Sequence, residues 1–385
     1  MPESLKPSQT TNISVYLDEL DIPSDIAYFF TFPAFWGPMT PRPLVSIIIL
    51  NFNGLKFLPR CLDSLTATAY GPTEIVVADN GSTDGSLAYI RDQFPNVRII
   101  EFGENWGYSG AYNRVIPLAD GKYCVLLNFD VEVEPNWLTE AIEAMEADPL
   151  IAAAQPKLKQ YQDHNKFEYS GGSGGFLDAY GFPFVRGRLF DSTEPDLGQY
   201  DDSCEILWAT GASLIVRRDT YLASGGLDED FFMHMEEIDF CWRLWLTGHR
   251  IVVAPTGTVY HWAGAALSAD RVRKMYLNHR NSLAMMIKNY GWANLLKRLP
   301  VRILLDWVAL LVSPLKREPK RSIAIIWAHF YVLFNLPRML MKRRKVQATR
   351  VVRDSDLDHV ILPFSIVYRY YLKKQTTYSQ LKTRL

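Results

Sequence analysis

Four groups of residues in this chain have the types and spacing to do chemistry. The first is Asn128-Phe129-Asp130, which ends the apolar run 123–127 and is followed by Glu132, Glu134 and Pro135. A carboxylate at the carboxyl end of a buried parallel strand lies where open α/β sheets bind ligands. Hard oxygen donors there suit a divalent cation and the phosphates it neutralises. Asp130 is the charged member and the stronger metal candidate; Asn128 offers a neutral oxygen, and Glu132 and Glu134 read as solvent-facing. The second group is Glu236-Glu237-Ile238-Asp239, beside Phe231, Phe232, Met233 and Met235. Adjacent carboxylates repel each other, and apolar neighbours desolvate them, so one pKa rises toward neutrality and suits a general base for a hydroxyl. The helix dipole alone also favours acids at this position, and Asp239 can pair with Arg243 one turn on. The third is Asp79 with Asn80, closing TEIVVADN. This carboxylate can accept from a nucleobase N–H or a sugar hydroxyl, or it can form an Asx turn. The fourth is His261 in VYHW, a nitrogen donor that can complete a mixed coordination sphere with Asp130. His234 and His249 read as structural.

The elements that must carry these residues follow from hydrophobic pattern. LVSIIILNFN (44–53) is a continuous apolar strand ending in polar residues and Gly54, and a helix through Phe57, Leu58, Cys61, Leu62 and Leu65 follows at 3.6-residue spacing. TEIVVADN is a second strand, with Ser82 or Thr83 capping the next helix; VRIIEF (97–102) is a third, and the Gly-rich GENWGYSGAYN (103–113) opens another helix. Four strand–helix units predict a mostly parallel, doubly wound sheet. No G-x-G-x-x-G follows the first strand, which argues against a dinucleotide site. A nucleotidyltransferase would need a basic Gly-rich triphosphate loop there, and NFNGLKF is a poor one. IAAAQPKL is a further strand candidate, and residues 160–203 read as a long substrate-shaping loop. ILWATGASLIV (206–216) is strand-like, and RIVVAP and TVYHW finish the body near residue 262.

The net charge of −1 conceals two opposed halves. Of 41 Lys+Arg and 42 Asp+Glu, 24 and 5 fall in 271–385, leaving 17 and 37 for the rest. An acidic body and a basic appendage suggest an anionic partner. Within the appendage, 301–312 and 322–336 are apolar but short for a membrane span, interrupted by Asp306 and His329, and flanked by Trp307, Trp327, Tyr331 and basic blocks at 316–321 and 342–345. This suits helices lying in an anionic membrane interface. Packing helices that make a homo-oligomer are the alternative. No recognition motif supports nucleic-acid binding. Cys61, Cys124, Cys204 and Cys241 form no CxxC pair, and the start MPESLKPSQTTN lacks a secretory pattern, so a cytoplasmic protein peripheral to the inner face of the cell membrane is expected. Residues 1–43, with seven prolines and the patch AYFFTFPAFW, read as an extension, 44–265 as the body and 266–385 as the basic helical region.

The sequence resembles the inverting glycosyltransferases of family 2, closest to their rhamnosyl- and galactofuranosyltransferase-like branch. The matching segments are VSIIILNFNGLKFLPRCLDSL, EIVVADNGSTDGS, ENWGYSGAYN, LLNFDVEVEPNWL, ATGASLIVRRDTY, GGLDEDFFMHMEEIDFCWRLWLTGHRI and VYHWAG, in family order over 44–265. The resemblance implies the GT-A fold, a Rossmann-like, mostly parallel sheet flanked by helices. It implies an enzyme that uses Mg2+ or Mn2+ and moves a sugar from a UDP- or dTDP-linked donor to a glycan or lipid-linked acceptor in cell-surface polysaccharide synthesis. Asn51 and Asp79 would line the nucleotide pocket, and Asn105, Gly107 and Asn113 its ribose and diphosphate side. Asn128-Phe129-Asp130 occupies the family's DxD position, with Asp130 on the metal and Phe129 where the family often has Pro. His261 matches a histidine that completes the metal site. Glu237 matches the general base of the ED/DD motif, usually Asp, and Glu236 would contact acceptor or donor sugar; the choice between the two stays open. Trp208 and Gly211 would border the acceptor by position. A non-catalytic nucleotide-sugar-binding subunit is the rival from another class.

Overall fold

The computed structural model describes residues 41–262 and 271–382. The extension expected over 1–43 therefore lies almost wholly outside the described residues. From Pro43 the chain forms one compact unit.

Strands β1 (Val45–Asn51), β2 (Thr73–Asp79), β3 (Arg98–Glu101) and β4 (Tyr123–Asn128) alternate with helices α1 (Leu58–Thr66), α2 (Ser86–Gln93) and α3 (Gly107–Val115). β1 lies parallel between β2 and β4, and β3 extends the sheet beyond β2. The continuous apolar runs are explained by burial on both faces: Ile47, Ile48, Ile49, Val76, Val77 and 123–127 are all inside. Register sets Asn51 opposite Asp79 and Leu50 opposite Asn128, so three polar strand ends share one edge.

After β5 (Val131–Val133), α4 (Thr139–Ala147) and β6 (Ile151–Gln160), the segment expected to be a long loop instead builds a second sheet. Its strands β7 (Gly175–Asp178), β8 (Pro183–Val185), β9 (Arg188–Leu189) and β10 (Ser192–Thr193) are antiparallel neighbours. They bury Phe176, Leu177, Phe184, Val185 and Leu189. Strands this short leave no alternating pattern to read. The chain then runs through β11 (Cys204–Glu205), β12 (Ser213–Arg217), α5 (Arg218–Ala223), α6 (Glu236–Leu246) and β13 (Arg250–His261). β12 lies antiparallel to β4, and β13 runs parallel to β6 and antiparallel to β5, with His261 opposite Val131. That register brings the histidine to Asp130.

The basic region forms α7 (Arg271–Asn289), α8 (Trp292–Leu315), α9 (Pro319–Phe334) and α10 (Leu336–Ala348), then β14 (Ile361–Leu362), α11 (Ile366–Tyr371) and α12 (Tyr378–Lys382). It shares the body's core. β14 pairs with β7, Ile361 opposite Leu177, and Met285, Met286, Tyr290 and Leu381 join Trp242 and Leu244 in one buried cluster. The interrupting Asp306 is 1% exposed and faces inward, 3.1 Å from both Arg302 Nε and His279 Nδ1. The outward face of α8 and α9 is apolar instead, with Leu304, Trp307, Leu311 and Leu315 followed by Ile323, Trp327, Phe330 and Phe334 exposed at one-turn spacing. Among the described residues no single helix is long and apolar enough to cross a membrane; α9 and α10 pass such a test only together, across a 70° bend.

Candidate active site

The strand ends meet at a corner built on Asp130 and His261. Asp130 follows β4 and is buried; its Oδ1 lies 3.3 Å from Nε2 of His261, the last residue of β13. Asn128 Nδ2 sits 3.3 Å from the same ring nitrogen. On the other side of the imidazole, Nδ1 lies 3.1 Å from Oε1 of Glu168, a charge contact without hydrogen-bond alignment. Glu168 is 0% exposed. Burial pushes the His261 pKa down, but the two flanking carboxylates outweigh it and hold it up to about 10. Burial likewise pushes Glu168 up, yet His261 and the Ser170 amide, which donates to Oε2 at 2.6 Å, keep it below the ordinary value. Glu168 escaped sequence reasoning because it lies in the glycine-rich 160–203 stretch, where no periodicity marks it.

Asp130 offers an oxygen donor, and His261 would offer a nitrogen donor beside it once a cation displaces its Nε2 proton. Among the described residues no group of three or more His, Cys, Asp or Glu side chains is gathered for a metal ion. The pair thus fits a cation that takes its other ligands from a bound phosphate and water, with Glu168 fixing the ring from behind. A cavity of about 190 Å³ adjoins Asp130, lined by Lys56, Phe57, Arg60, Tyr161 and Trp262.

The other strand ends form a linked polar floor. Asn51 Nδ2 donates to Asp79 Oδ1 at 2.9 Å, and to Ser82 and Ser86 hydroxyls at 3.0 and 2.9 Å. Asp79 Oδ2 accepts from the amides of Gly81 and Ser82 at 3.2 and 3.0 Å, the Asx turn that the sequence left open. Asn80 ties this floor to the next loop. Its Nδ2 donates to Asn105 Oδ1 at 3.0 Å and to the Gly107 carbonyl at 3.2 Å, and its Oδ1 accepts from Trp106 N at 2.9 Å.

Glu236 and Glu237 start α6. Glu236 is 4% exposed and Glu237 half-buried. Oε2 of each is buried without a hydrogen-bond partner among the described residues. Burial raises both, and repulsion by Glu237 raises Glu236 further; Glu237 is brought to about 7, and Glu236 lies well above its ordinary value. Both shifts favour the neutral carboxyl, and Glu237 holds the more open position of the two. The predicted Asp239–Arg243 pair forms at 3.0 Å. Tyr108 links the loop before α6 to Gly211, beside the end of β4. The Tyr108 amide donates to Phe232 O at 2.8 Å, and its hydroxyl to Gly211 O at 2.7 Å; the neighbouring Ala212 O accepts from Asn128 N at 3.2 Å.

Gly107 makes the first of these contacts feasible. Its φ is +69°, and a Cβ there would meet the Phe232 ring at 2.6 Å and its carbonyl at 2.7 Å. Gly107→Ala is expected to destabilise the fold by about 1–3 kcal/mol, measured as a shift in denaturant midpoint at constant m-value.

Two expected site residues have their side chains engaged in packing. Trp208, expected beside the acceptor, is 4% exposed; its indole N–H donates to Phe176 O at 3.0 Å and its ring fills the space a Cβ on Gly175 would take. It is core, because the second sheet closes over it. Asn113, expected on the ribose and diphosphate side, gives its amide to Leu227 O at 2.9 Å and Glu229 Oε1 at 3.2 Å and accepts from Tyr221 OH at 2.7 Å. It brackets the turn leading to α6, leaving no free hydrogen-bonding group for a donor. The Gly211 carbonyl accepts from the Tyr108 hydroxyl.

The fold is that of the GT-A glycosyltransferases. The GalNAc-T7 structure with UDP, GalNAc and Mn2+ superimposes with TM-score 0.53 at 16% identity, covering 77% of this chain and 57% of that one. S. aureus TarS with UDP-GlcNAc gives 0.50 at 16% identity, covering 74% and 81%. Residues 46–195 match the glycosyl transferase family 2 model. The N-acetylglucosaminyl-diphospho-decaprenol L-rhamnosyltransferase of Mycobacterium tuberculosis is 25% identical over 307 residues, 74% of this chain and 98% of that protein. The O-antigen biosynthesis protein RfbC of Myxococcus xanthus is 26% identical over 258 residues, 66% of this chain and 20% of that one.

Proposed function

We propose that this chain transfers a sugar, with inversion, from a UDP- or dTDP-linked donor to a hydroxyl of a lipid-linked glycan in cell-surface polysaccharide synthesis. The observation that carries this reading is Glu237: a half-buried carboxylate with an unpartnered oxygen, lifted by burial to about 7, at the start of a helix whose preceding loop is held by the Tyr108 amide. The M. tuberculosis relative, named for a lipid-linked diphosphate acceptor, supports the acceptor class. Glu237 takes the proton of the acceptor hydroxyl as that oxygen bonds to the anomeric carbon, and the bond from that carbon to the donor phosphate breaks with its electron pair leaving on the diphosphate. Asp130 and His261 hold a divalent cation, which supplies charge neutralisation for the leaving diphosphate. Lys56 and Arg60 line the same side with positive charge. Donor turnover in wild type, Glu237→Gln and Asp130→Ala tests the assignment; undiminished transfer in both variants would sink it.

The apolar outer face of α8 and α9 fits an anionic membrane surface, where a lipid-linked acceptor resides. Lys316, Arg317 and Lys320 lie exposed at its rim. Only part of the second basic block is free for such a role. Arg343 is buried on the carbonyls of Ile287 and Tyr290, and Lys342 pairs with Asp228 and Asp230. Full-length protein should float with anionic vesicles and Leu311→Glu/Phe330→Glu should not; equal flotation would refute the membrane face.

A further inference from the structure

We propose that Arg280 and Asn281, on α7, are positioning residues that hold the base-bearing loop in its working conformation. This rests on Glu237 as the general base. Between Asp228 and α6 the backbone enters the left-handed region three times at residues with side chains, at Phe232 (φ +63°), His234 (+69°) and Met235 (+69°). Bulky L-residues do not hold such angles unaided, so surrounding structure must over-determine them. The last of the three is the N-cap of α6, and its conformation sets the direction in which Glu236 and Glu237 leave the loop.

The over-determination comes from one amide and one guanidinium. Asn281, 0% exposed, points Nδ2 at three loop carbonyls: Phe231 at 3.2 Å, Met233 at 3.1 Å and His234 at 2.7 Å. Two protons serve three acceptors, so the amide sits at the focus of the turn. Arg280 Nε donates to Asn281 Oδ1 at 2.7 Å, which fixes the amide with its donors toward the loop. Arg280 Nη2 takes the carbonyls of Asp230 and Phe231 at 2.8 and 2.9 Å. From the opposite side, the Tyr108 amide holds Phe232 O. The loop is gripped between α7 and the helix that opens at Gly107. A hydrophobic α7 would pack against the body equally well; a buried asparagine with an arginine fixing its orientation is needed only if those carbonyls must stay where they are.

The test compares kinetics with nucleotide binding in the full-length protein. In Asn281→Ala, kcat should fall by about 30-fold, with donor KM and the Kd for free UDP or dTDP within about threefold of wild type. Arg280→Lys, which loses the fork but keeps charge and most volume, should fall by a smaller factor in the same pattern. Wild-type kcat in a folded Asn281→Ala would overturn the proposal. So would a loss of kcat and nucleotide binding in step with a lowered melting temperature, since that is ordinary destabilisation. Glu237→Gln run alongside separates the two readings: if it retains wild-type kcat, the base assignment fails, whereas an inactive Glu237→Gln beside a fully active Asn281→Ala refutes the positioning role alone.

Discussion

Glu237→Gln will lower kcat by about 10³-fold while leaving donor KM within about threefold of wild type. Glutamine keeps the shape and the contacts of the α6 amino terminus but cannot accept the acceptor's proton. In wild type, kcat will rise with pH along an acid limb near 7, because burial lifts the Glu237 carboxyl to about 7 and only the ionised form is a base. Burial and the repulsion of Glu237 raise the neighbouring Glu236 carboxyl as well. Stability supplies an independent check. A carboxyl whose folded pKa exceeds its unfolded value costs nothing below the unfolded value, and its penalty develops as pH rises through the folded one. Glu237→Gln should therefore melt above wild type at pH 8 and with it at pH 4. A variant both inactive and more stable at pH 8 marks a carboxylate kept for chemistry at the expense of the fold.

Asp130→Ala will reduce kcat/KM by about 10²–10⁴-fold, with donor affinity falling as well as kcat. The reason lies in the corner. Asp130 is the buried carboxylate beside His261 Nε2, while Glu168 occupies the far side of the ring. Removing Asp130 leaves His261 with Glu168 alone, and a cation brought by the donor diphosphate loses its charged protein ligand. His261→Ala should cost about 10–100-fold in Mn2+ affinity, read by titrating the ion in the presence of UDP or dTDP. If Asp130→Ala binds Mn2+ and nucleotide as wild type does, the corner is structural. Asp130 and Glu237 fail differently: loss of the first weakens donor binding, loss of the second spares it.

Much of this site was legible because buried parallel strands write themselves as continuous apolar runs that break into polar residues. Those breaks are local, so the strand ends at Asn51, Asp79 and Asn128 were legible, and adjacent glutamates at a helix start already implied mutual repulsion. Residue type and order carry no information about depth, so the burial of Trp208 and the turn contacts of Asn113 could not be read from the sequence. A tryptophan closed over by a second sheet and an asparagine bracketing a turn look the same in sequence as ligand contacts.

Tertiary structure alone decided the rest. Strands of two to four residues, one of them supplied by Ile361–Leu362, leave no period, so the second sheet was invisible. The sequence of 301–336 suited interface-lying and packing helices alike, and the inward turn of Asp306 is what leaves the apolar stripes of α8 and α9 facing out. The contacts of Glu168 with His261, and of Asn281 with the carbonyls before α6, join segments far apart in the chain. Side-chain bonds across such separations impose no spacing on either partner, so the sequence determined which groups could react and the packing determined what holds them in place.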